Sequence, residues 1–393
     1  MIPKENHDYD VLVAGGGFAG IAAALAAARG GRRVALFERQ FILGGLGTSG
    51  LVTVYLPLCD GCGRQVSFGI AEELFRLSIK YGAEGRYPAN WLDGVGTRTD
   101  KDPRFMVDYN PHLFAILAER LLTEEGVDIF YGSLVCDATV EDGRITSLHI
   151  ENKSGRTAYY AGSVIDATGD CDVAHFAGAP TETFGPGNVL AAWYYFTDSE
   201  GYKLKQYGAA DILGDGNETK KEEALVKRRF SGLDAKEISE MTYLSHEKIL
   251  DDWLKRRKTE KNITLSTIAT IPQLRMTRRI VGEATLTLND DHKYFEDSVG
   301  MVSNWRKRGP VYEIPFGTLY NKCIKNLLVA GRIISSDDPM WDIMRVIPCC
   351  AVTGEAVGTA AALSDDFTTI SVTALQNKLK ENGIKLHIKE LEK

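Results

Sequence analysis

The sequence lacks a basic excess: 46 Lys and Arg stand against 53 Asp and Glu, for a formal net charge of −7. A chain so charged has no general attraction to nucleic acid or anionic membrane. It lacks an apolar leader, its first residues reading MIPKENHDYD. It also lacks an uninterrupted apolar run long enough to cross a bilayer, so no membrane span is expected. Cysteine is scarce and odd in number, at seven. An odd set cannot pair completely within the chain, and 393 residues need no staples. These absences point to a reducing interior and a cytoplasmic location. The hydrolase motifs Gly-x-Ser-x-Gly and His-Glu-x-x-His are missing as well, as are internal repeats.

What is abundant is glycine, 39 residues against 12 prolines. That exceeds the usual share of roughly 7%. The glycines crowd into clusters at 15–17, 30–31, 44–50 and 61–63, as where backbone turns sharply or something must approach it closely. Around the first cluster, Tyr9–Ala14 reads as a strand, Phe18–Arg29 as an alanine-rich helix, and Arg33–Phe37 as a strand ending at Glu38. This is a βαβ unit.

Beyond it, 39–66 reads as irregular, Ser67–Tyr81 as a helix capped by Ser67, and Pro111–Glu125 as a helix opened by proline. Val127–Tyr131 and Ser133–Val140 read as strands, Asp142-Gly143 as a hairpin turn into Arg144–Glu151, and Ala158–Ile165 as a further strand. The middle is more charged, with helical stretches at 219–230 and 239–257 and strands at 187–197, Ile263–Thr270, Ala284–Leu288 and Val311–Ile314. Asn326–Ala330 returns to a buried strand, Ile343–Leu363 reads as one long helix, and Ser371–Glu381 as an amphipathic one. The expected architecture is α/β: a discontinuous Rossmann-like domain (1–184 and 316–393) with an inserted mixed α+β substrate or cap domain (185–315).

Gly15, Gly17 and Gly20 form G-x-G-x-x-G in its required context, after a strand and opening a helix. Gly15 permits the turn, Gly17 lets backbone approach a pyrophosphate, and Gly20 lets helix and sheet pack closely. The helix N-terminus offers amide hydrogens to the phosphates. Glu38 ends the second strand where a carboxylate binds an adenosine ribose, which disfavours NADP. One fingerprint does not separate FAD from NAD, and the second cluster, Leu43–Gly50, suits the path of an extended flavin. No second G-x-G-x-x-G is present for a nicotinamide cofactor.

The stretches 10–39, GGLGTSGLV at 44–52, VIDATGDCDVAHFAGAP at 164–180, PQLRMTRRIVG at 272–282 and 326–363 resemble the FAD-dependent oxidoreductases of the glutathione-reductase-like flavoproteins. The resemblance is greatest to the branch that includes the flavoprotein subunit of heterodisulfide reductase. It implies FAD as cofactor. It places Gly15, Gly17, Phe18, Ala19 and Gly20 at the pyrophosphate and Glu38 with Arg39 at the ribose. Gly44, Gly45 and Thr48 would border the flavin and pyrophosphate, and Val135 the adenine. Thr168, Gly169 and Asp170 would close over the nucleotide half, and Gly331 and Arg332 would form a second contact segment. Thr353, Gly354, Ala356 and Val357 would start a helix aimed at the flavin ring, where its dipole stabilises reduced-flavin charge.

The chain departs from iron–sulfur members of that branch in cysteine density. Cys59 and Cys62 are its only spaced pair, with Cys349 and Cys350 adjacent. A four-iron cluster wants four thiolates. A redox dithiol at Cys59–Cys62, a metal site and two plain loop cysteines remain open. For catalysis, strand alternation over Pro272–Val281 puts Arg275 and Arg279 on one face and Arg278 opposite, as candidate substrate clamps. Arg345 precedes the helix near the expected ring. Asp337, Asp338 and Asp342 are further cleft candidates, and His112, His175 and His292 are proton-transfer candidates. The expected chemistry is hydride transfer between a small organic substrate and flavin N5. Electrons would pass on to a partner protein, a quinone or a small acceptor. Two rival readings are a flavoprotein subunit of an electron-transfer complex and a flavin-binding redox sensor without turnover.

Overall fold

The structure is a computed structural model that describes residues 9–81, 88–92, 98–209 and 224–391. The chain opens with β1 (Val11–Ala14), α1 (Phe18–Arg29) and β2 (Val34–Glu38). β3 (Val54–Tyr55), α2 (Ile70–Ile79), α3 (Ala89–Leu92), β4 (Val107–Asp108) and α4 (Pro111–Glu124) follow. Next come β5 (Asp128–Tyr131), β6 (Leu134–Glu141), β7 (Arg144–Asn152), β8 (Gly155–Tyr159), β9 (Ser163–Asp166), α5 (Asp172–Phe176) and β10 (Thr181–Thr183). The middle holds β11 (Tyr194–Asp198), β12 (Gly201–Lys205), α6 (Ala235–Thr259) and β13 (Thr264–Ile268). The chain closes with β14 (Arg278–Ile280), β15 (Ser298–Ser303), β16 (Val311–Pro315), β17 (Leu327–Val329), α7 (Asp338–Met344), α8 (Ile347–Leu363) and α9 (Val372–Glu381).

Two compact units result: Met1–Thr48, Thr53–Glu182 and Arg279–Lys393 form the larger, and Ser49–Val52 with Thr183–Arg278 the smaller. The second crossing thus lies at Arg278–Arg279, whereas the sequence reading carried the insertion to 315. The antiparallel pair β15 and β16 explains the difference. Its β-pattern suits either unit, but its inward residues Val299, Val302, Tyr312 and Ile314 join the main core of the larger one.

That unit is built on a five-stranded sheet in the order β17-β9-β1-β2-β5. All its pairings are parallel, and its short central strands are fully buried, as parallel sheets require. Strand order reverses between β1 and β9, so the carboxyl ends of these strands define the crevice where such sheets bind ligands. α1 packs on α8 through small residues. The Gly354 Cα approaches Ala19 so closely that a Cβ there would lie 2.3 Å from the Ala19 carbonyl oxygen, and Gly358 repeats this against Ala23 at 2.2 Å. Neither helix has a polar face, which marks both as core helices.

The smaller unit has a three-stranded antiparallel sheet, β12-β11-β13, and the helix α6. Tyr194, Phe196 and Ile249 form one of its apolar clusters and Leu190, Phe230, Met241 and Leu274 another.

Several elements differ from the sequence pattern. The run 158–165 splits: β8 ends an antiparallel sheet, whereas β9 enters the central one. The run 343–363 breaks at Arg345–Val346, where Val346 is extended, and α7 and α8 lie at 87°. Pro348 fits the first turn of α8, but an unbroken helix would drive its ring into the carbonyl of Met344. α2 starts at Ile70 after Gly69, and Ser67 does not cap it but donates to the Met301 carbonyl at 2.9 Å. The cap comes from elsewhere: Glu355 of α8 accepts the Ile70 N–H at 2.7 Å. Residues 284–287 form only an isolated bridge, Leu286 to Ser336, and Leu288 opens a 3-10 turn instead of ending a strand. Residues 224–230 are not helical, and 219–223 lie outside the described residues.

Candidate functional site

The glycine turn is shaped by contacts on every side but one. Gly15 takes φ +100°, and a Cβ there would lie 2.5 Å from the Ala167 carbonyl oxygen. At Gly20 a Cβ would lie 1.8 Å from the Gly15 oxygen. Gly17, the N-cap of α1, is the exception: a Cβ there meets nothing within 4 Å. The backbone at Gly17 therefore faces open space, beside the first α1 amides, which have no partner within the helix. That is the cradle a pyrophosphate needs.

Glu38 ends β2 and is buried. Its Oε2 accepts the Gly16 N–H and its Oε1 the Gln40 N–H, both at 2.7 Å. Each carboxylate oxygen keeps a lone pair for a ribose hydroxyl. Burial raises the Glu38 pKa, opposed by those two amides. Arg39 follows, exposed. Gly44 donates to the Gly16 carbonyl at 2.8 Å, and Gly17 and Gly44 form a parallel bridge. The second glycine cluster thus lies directly against the first. Its left-handed Gly44 (φ +100°) allows Thr48 to close over it, and Thr48 donates to the Leu43 carbonyl at 2.6 Å. Ser133 donates to the Glu38 carbonyl at 3.0 Å, which brings the start of β6, and so Val135, beside the end of β2.

Two further segments close on the turn. Asp166, fully buried, accepts from the Thr168 hydroxyl at 2.7 Å and from the Ala174 N–H at 3.0 Å. Burial raises its pKa. It fixes the Ala167–Asp170 bend over Gly15. Arg332 lies against Gly169 and pairs with Asp170 at 3.0 Å. Gly331 donates to the Thr353 hydroxyl at 2.9 Å and packs on Ala19, and Gly354 packs on the same residue. Phe18, Ala356 and Val357 have buried side chains, and Thr353, Gly354, Ala356 and Val357 do not start a helix: α8 begins at Ile347, with Pro348 in its first turn. Phe18 stacks on Phe114 with ring centroids 4.5 Å apart.

The candidate arginines separate. Only Arg278–Ile280 is regular strand, so the alternation expected over 272–281 does not apply. Residues 275–276 are held by Asn188, whose Oδ1 accepts both amides at 2.8 and 3.0 Å. Arg275 and Arg278 belong to the smaller unit and Arg279 to the larger. Buried Arg275 bonds Gln273 at 2.8 Å, its guanidinium 5.2 Å from the Trp193 ring centroid. Arg279 pairs with Glu182 at 2.6 Å, stands 4.0 Å from Asp338, and lies over Trp341 at 5.3 Å. Burial lifts the Asp338 pKa, and Arg279 opposes the lift. Arg345 ends α7 and pairs with Asp342 at 2.7 Å. Asp337 is the α7 N-cap.

His112 is exposed on the first turn of α4, and His175 and His292 are exposed too. Trp341 escaped the sequence reading: its indole N–H donates to the Arg332 carbonyl while its ring underlies Arg279. Asp166 was legible as an acid ending an apolar strand, just as Glu38 does.

All seven cysteines are free. Cys59 is buried, accepts the Phe105 N–H at 3.1 Å, and has its pKa raised by burial, whereas Cys62 is exposed. Among the described residues no group of three or more His, Cys, Asp or Glu is placed to hold a metal, and no single helix is long and apolar enough to cross a membrane.

The family profile described as FAD dependent oxidoreductase matches residues 10–190 and 188–379. Among solved structures, a geranylgeranyl bacteriochlorophyll reductase-like protein from Thermoplasma acidophilum is 14% identical, with 95% of this chain and 83% of that one covered and a TM-score of 0.50. The p-nitrophenol 4-monooxygenase of Pseudomonas putida is 13% identical, with 94% and 83% covered and a TM-score of 0.52. At such identities the likeness concerns the fold. Comparison with curated protein sequences gives no significant match. The open cradle at Gly17, the spare lone pairs of Glu38 and the converging glycine segments fit FAD, which the chain binds as cofactor. The chain belongs to the family of FAD-dependent oxidoreductases.

Proposed function

We propose that the protein is a flavoenzyme that transfers a hydride between a small organic substrate and flavin N5, acting at a hydroxy-, amino- or unsaturated carbon. The observation that carries this reading is the convergence on one turn of Gly17, Glu38, Asp166–Asp170, Gly331–Arg332 and Thr353–Gly354. When bound, FAD supplies the two-electron chemistry. The chain's own residues bind and orient. Gly17 and the first amides of α1 hold the pyrophosphate, and Glu38 holds the ribose. Thr353 ties the Gly331 turn to α8.

Substrate recognition is assigned to the arginines. Arg279 already has Glu182 and Asp338 beside it, so on charge grounds it suits orienting a neutral oxygen better than clamping a second anion. Arg275 and Arg278 are the other candidates. The test is anaerobic mixing of the FAD-loaded protein with a panel of hydroxy acids, amino acids and their unsaturated analogues. One class is expected to bleach the flavin, with bleaching slowed at least about a hundredfold in Arg279→Ala and FAD content unchanged. A panel in which no member bleaches the flavin, alongside full reduction by dithionite, would refute the reading.

A further inference from the structure

The Cys59–Cys62 loop is held without a bond between its thiols, which are both free. Its turn is organised by Asp60, which is fully buried and accepts the Cys62 N–H at 2.7 Å and the Arg64 Nε–H at 2.7 Å. Gly61 (φ +76°) and Gly63 (φ +101°) keep the turn bare of side chains. A Cβ at Gly61 would lie 2.7 Å from Cγ of Arg308, and one at Gly63 2.3 Å from the Arg98 carbonyl oxygen. Arginines from two other segments close on this bare turn. Arg308 donates to the Gly61 carbonyl at 2.6 Å and also to the Asp100 carbonyl. Arg104 donates to the carbonyls of Asn304 and Trp305 at 2.8 and 2.7 Å.

These partners satisfy hydrogen bonds without cancelling charge. Over 59–64, 98–104 and 304–308 the sequence places seven cationic side chains against three carboxylates. Arg64 pairs with Asp60, and Arg306 with Asp342. Among the described residues, Arg98, Lys101, Arg104, Lys307 and Arg308 form no ion pair. Lys101, Lys307, Arg308 and Cys62 are exposed. A concentrated positive patch thus stands on a chain of net charge −7.

The patch also adjoins the candidate site. Trp305, whose carbonyl Arg104 binds, donates its indole N–H to the Asp342 carbonyl of α7 at 3.0 Å. The Arg345 guanidinium lies 5.6 Å from the centre of its ring. Arg345 caps the C-terminus of α7, two residues before α8 begins.

We propose that this face docks an acidic one-electron carrier protein, which exchanges electrons with the bound cofactor. The proposal rests on the flavoenzyme reading for the cofactor but not for the substrate. Charge complementarity selects the partner and its orientation together, since the net negative charge of the chain repels an acidic protein elsewhere. Each docked reduced carrier gives up one electron and is oxidised. Two such dockings and one solvent proton complete the two-electron reduction of FAD.

The experiment uses an acidic plant-type [2Fe–2S] ferredoxin as probe, with the FAD-loaded full chain. Two quantities are read: the dissociation constant of oxidised ferredoxin by calorimetry, and the rate of flavin bleaching by reduced ferredoxin. Both are expected to weaken at least about tenfold between about 20 mM and about 300 mM NaCl. At low salt, Lys101→Glu/Lys307→Glu should lose about tenfold in both. Neither of those ammonium groups holds the fold, so FAD content, dithionite reduction and bleaching by a small organic donor should stay unchanged. Salt-independent binding and rates, or a charge-reversed variant as tight and fast as wild type, would overturn the proposal. Salt-sensitive binding to phosphatidylglycerol vesicles with none to ferredoxin would overturn it too. A failure of the organic panel alone would count against the proposed substrate chemistry and leave the docking face standing.

Discussion

Gly17 is the residue whose lack of a side chain the fold itself does not require. Its φ of −71° suits any residue, and a Cβ would meet nothing within 4 Å. Gly15 and Gly20 could not change without collision. Gly17→Ala is therefore expected to leave the thermal midpoint of the apo-protein within about 2 °C while weakening FAD binding at least about tenfold, because the methyl occupies the pyrophosphate path. Differential scanning fluorimetry and an FAD titration separate the two effects.

Glu355 makes the opposite kind of residue-scale case. It was invisible as a special position in the sequence, one acid in an apolar helix. Burial lifts its pKa to about 7, with Glu73 adding to the rise and the Ile70 N–H and Arg29 opposing it. Lys385 lines the same small cavity. An acid whose folded pKa lies above its unfolded 4.5 binds more protons folded than unfolded, so stability falls as pH rises from the lower value through the upper. Glu355→Gln keeps the carbonyl that accepts from Ile70. It should match wild type near pH 4.5 and exceed it by on the order of 3 kcal/mol at pH 8, as read by urea denaturation.

At the scale of elements, the α1–α8 contact governs the site, because α1 starts at the cofactor cradle and Gly354 of α8 packs against its first turn. Gly358 lies mid-helix, where propensity alone favours alanine by about 1 kcal/mol. Its Cβ would nevertheless lie 2.2 Å from the Ala23 carbonyl oxygen and 2.8 Å from the Ala26 Cβ. Gly358→Ala should therefore destabilise the protein by about 2–3 kcal/mol in chemical denaturation. A gain in stability would show that the helices do not pack this way.

Elements with one dominant local signal were legible: the strand–glycine–helix opening, α4 behind Asn110-Pro111, and the Asp142-Gly143 hairpin. Those decided by tertiary partners were not. Nothing local distinguishes β8 from β9, since an apolar run can serve two sheets. The corner between α7 and α8 had Pro348 as its signal, but helical apolar periodicity on both sides masked it. α2 takes its cap from another helix, which no neighbour in sequence reveals.

At the scale of the molecule, the βαβ opening and the return of a buried strand near 327 announced a nucleotide-binding sheet interrupted by an insertion. The end of that insertion was misplaced because β15 and β16 carry β-pattern without saying which core they join. The glycine segments that converge on the α1 turn were legible because close backbone approach leaves glycines in the sequence. The partners of the arginines were not, because a guanidinium leaves no such trace of what it faces.

The central claim is that these glycine segments form one FAD site. Titrating the purified apo-protein with FAD while recording the visible spectrum tests it most directly. The account predicts saturation at one FAD per chain, with the shifted and structured bands of a bound flavin. A spectrum that remains that of free FAD at every ratio would contradict it.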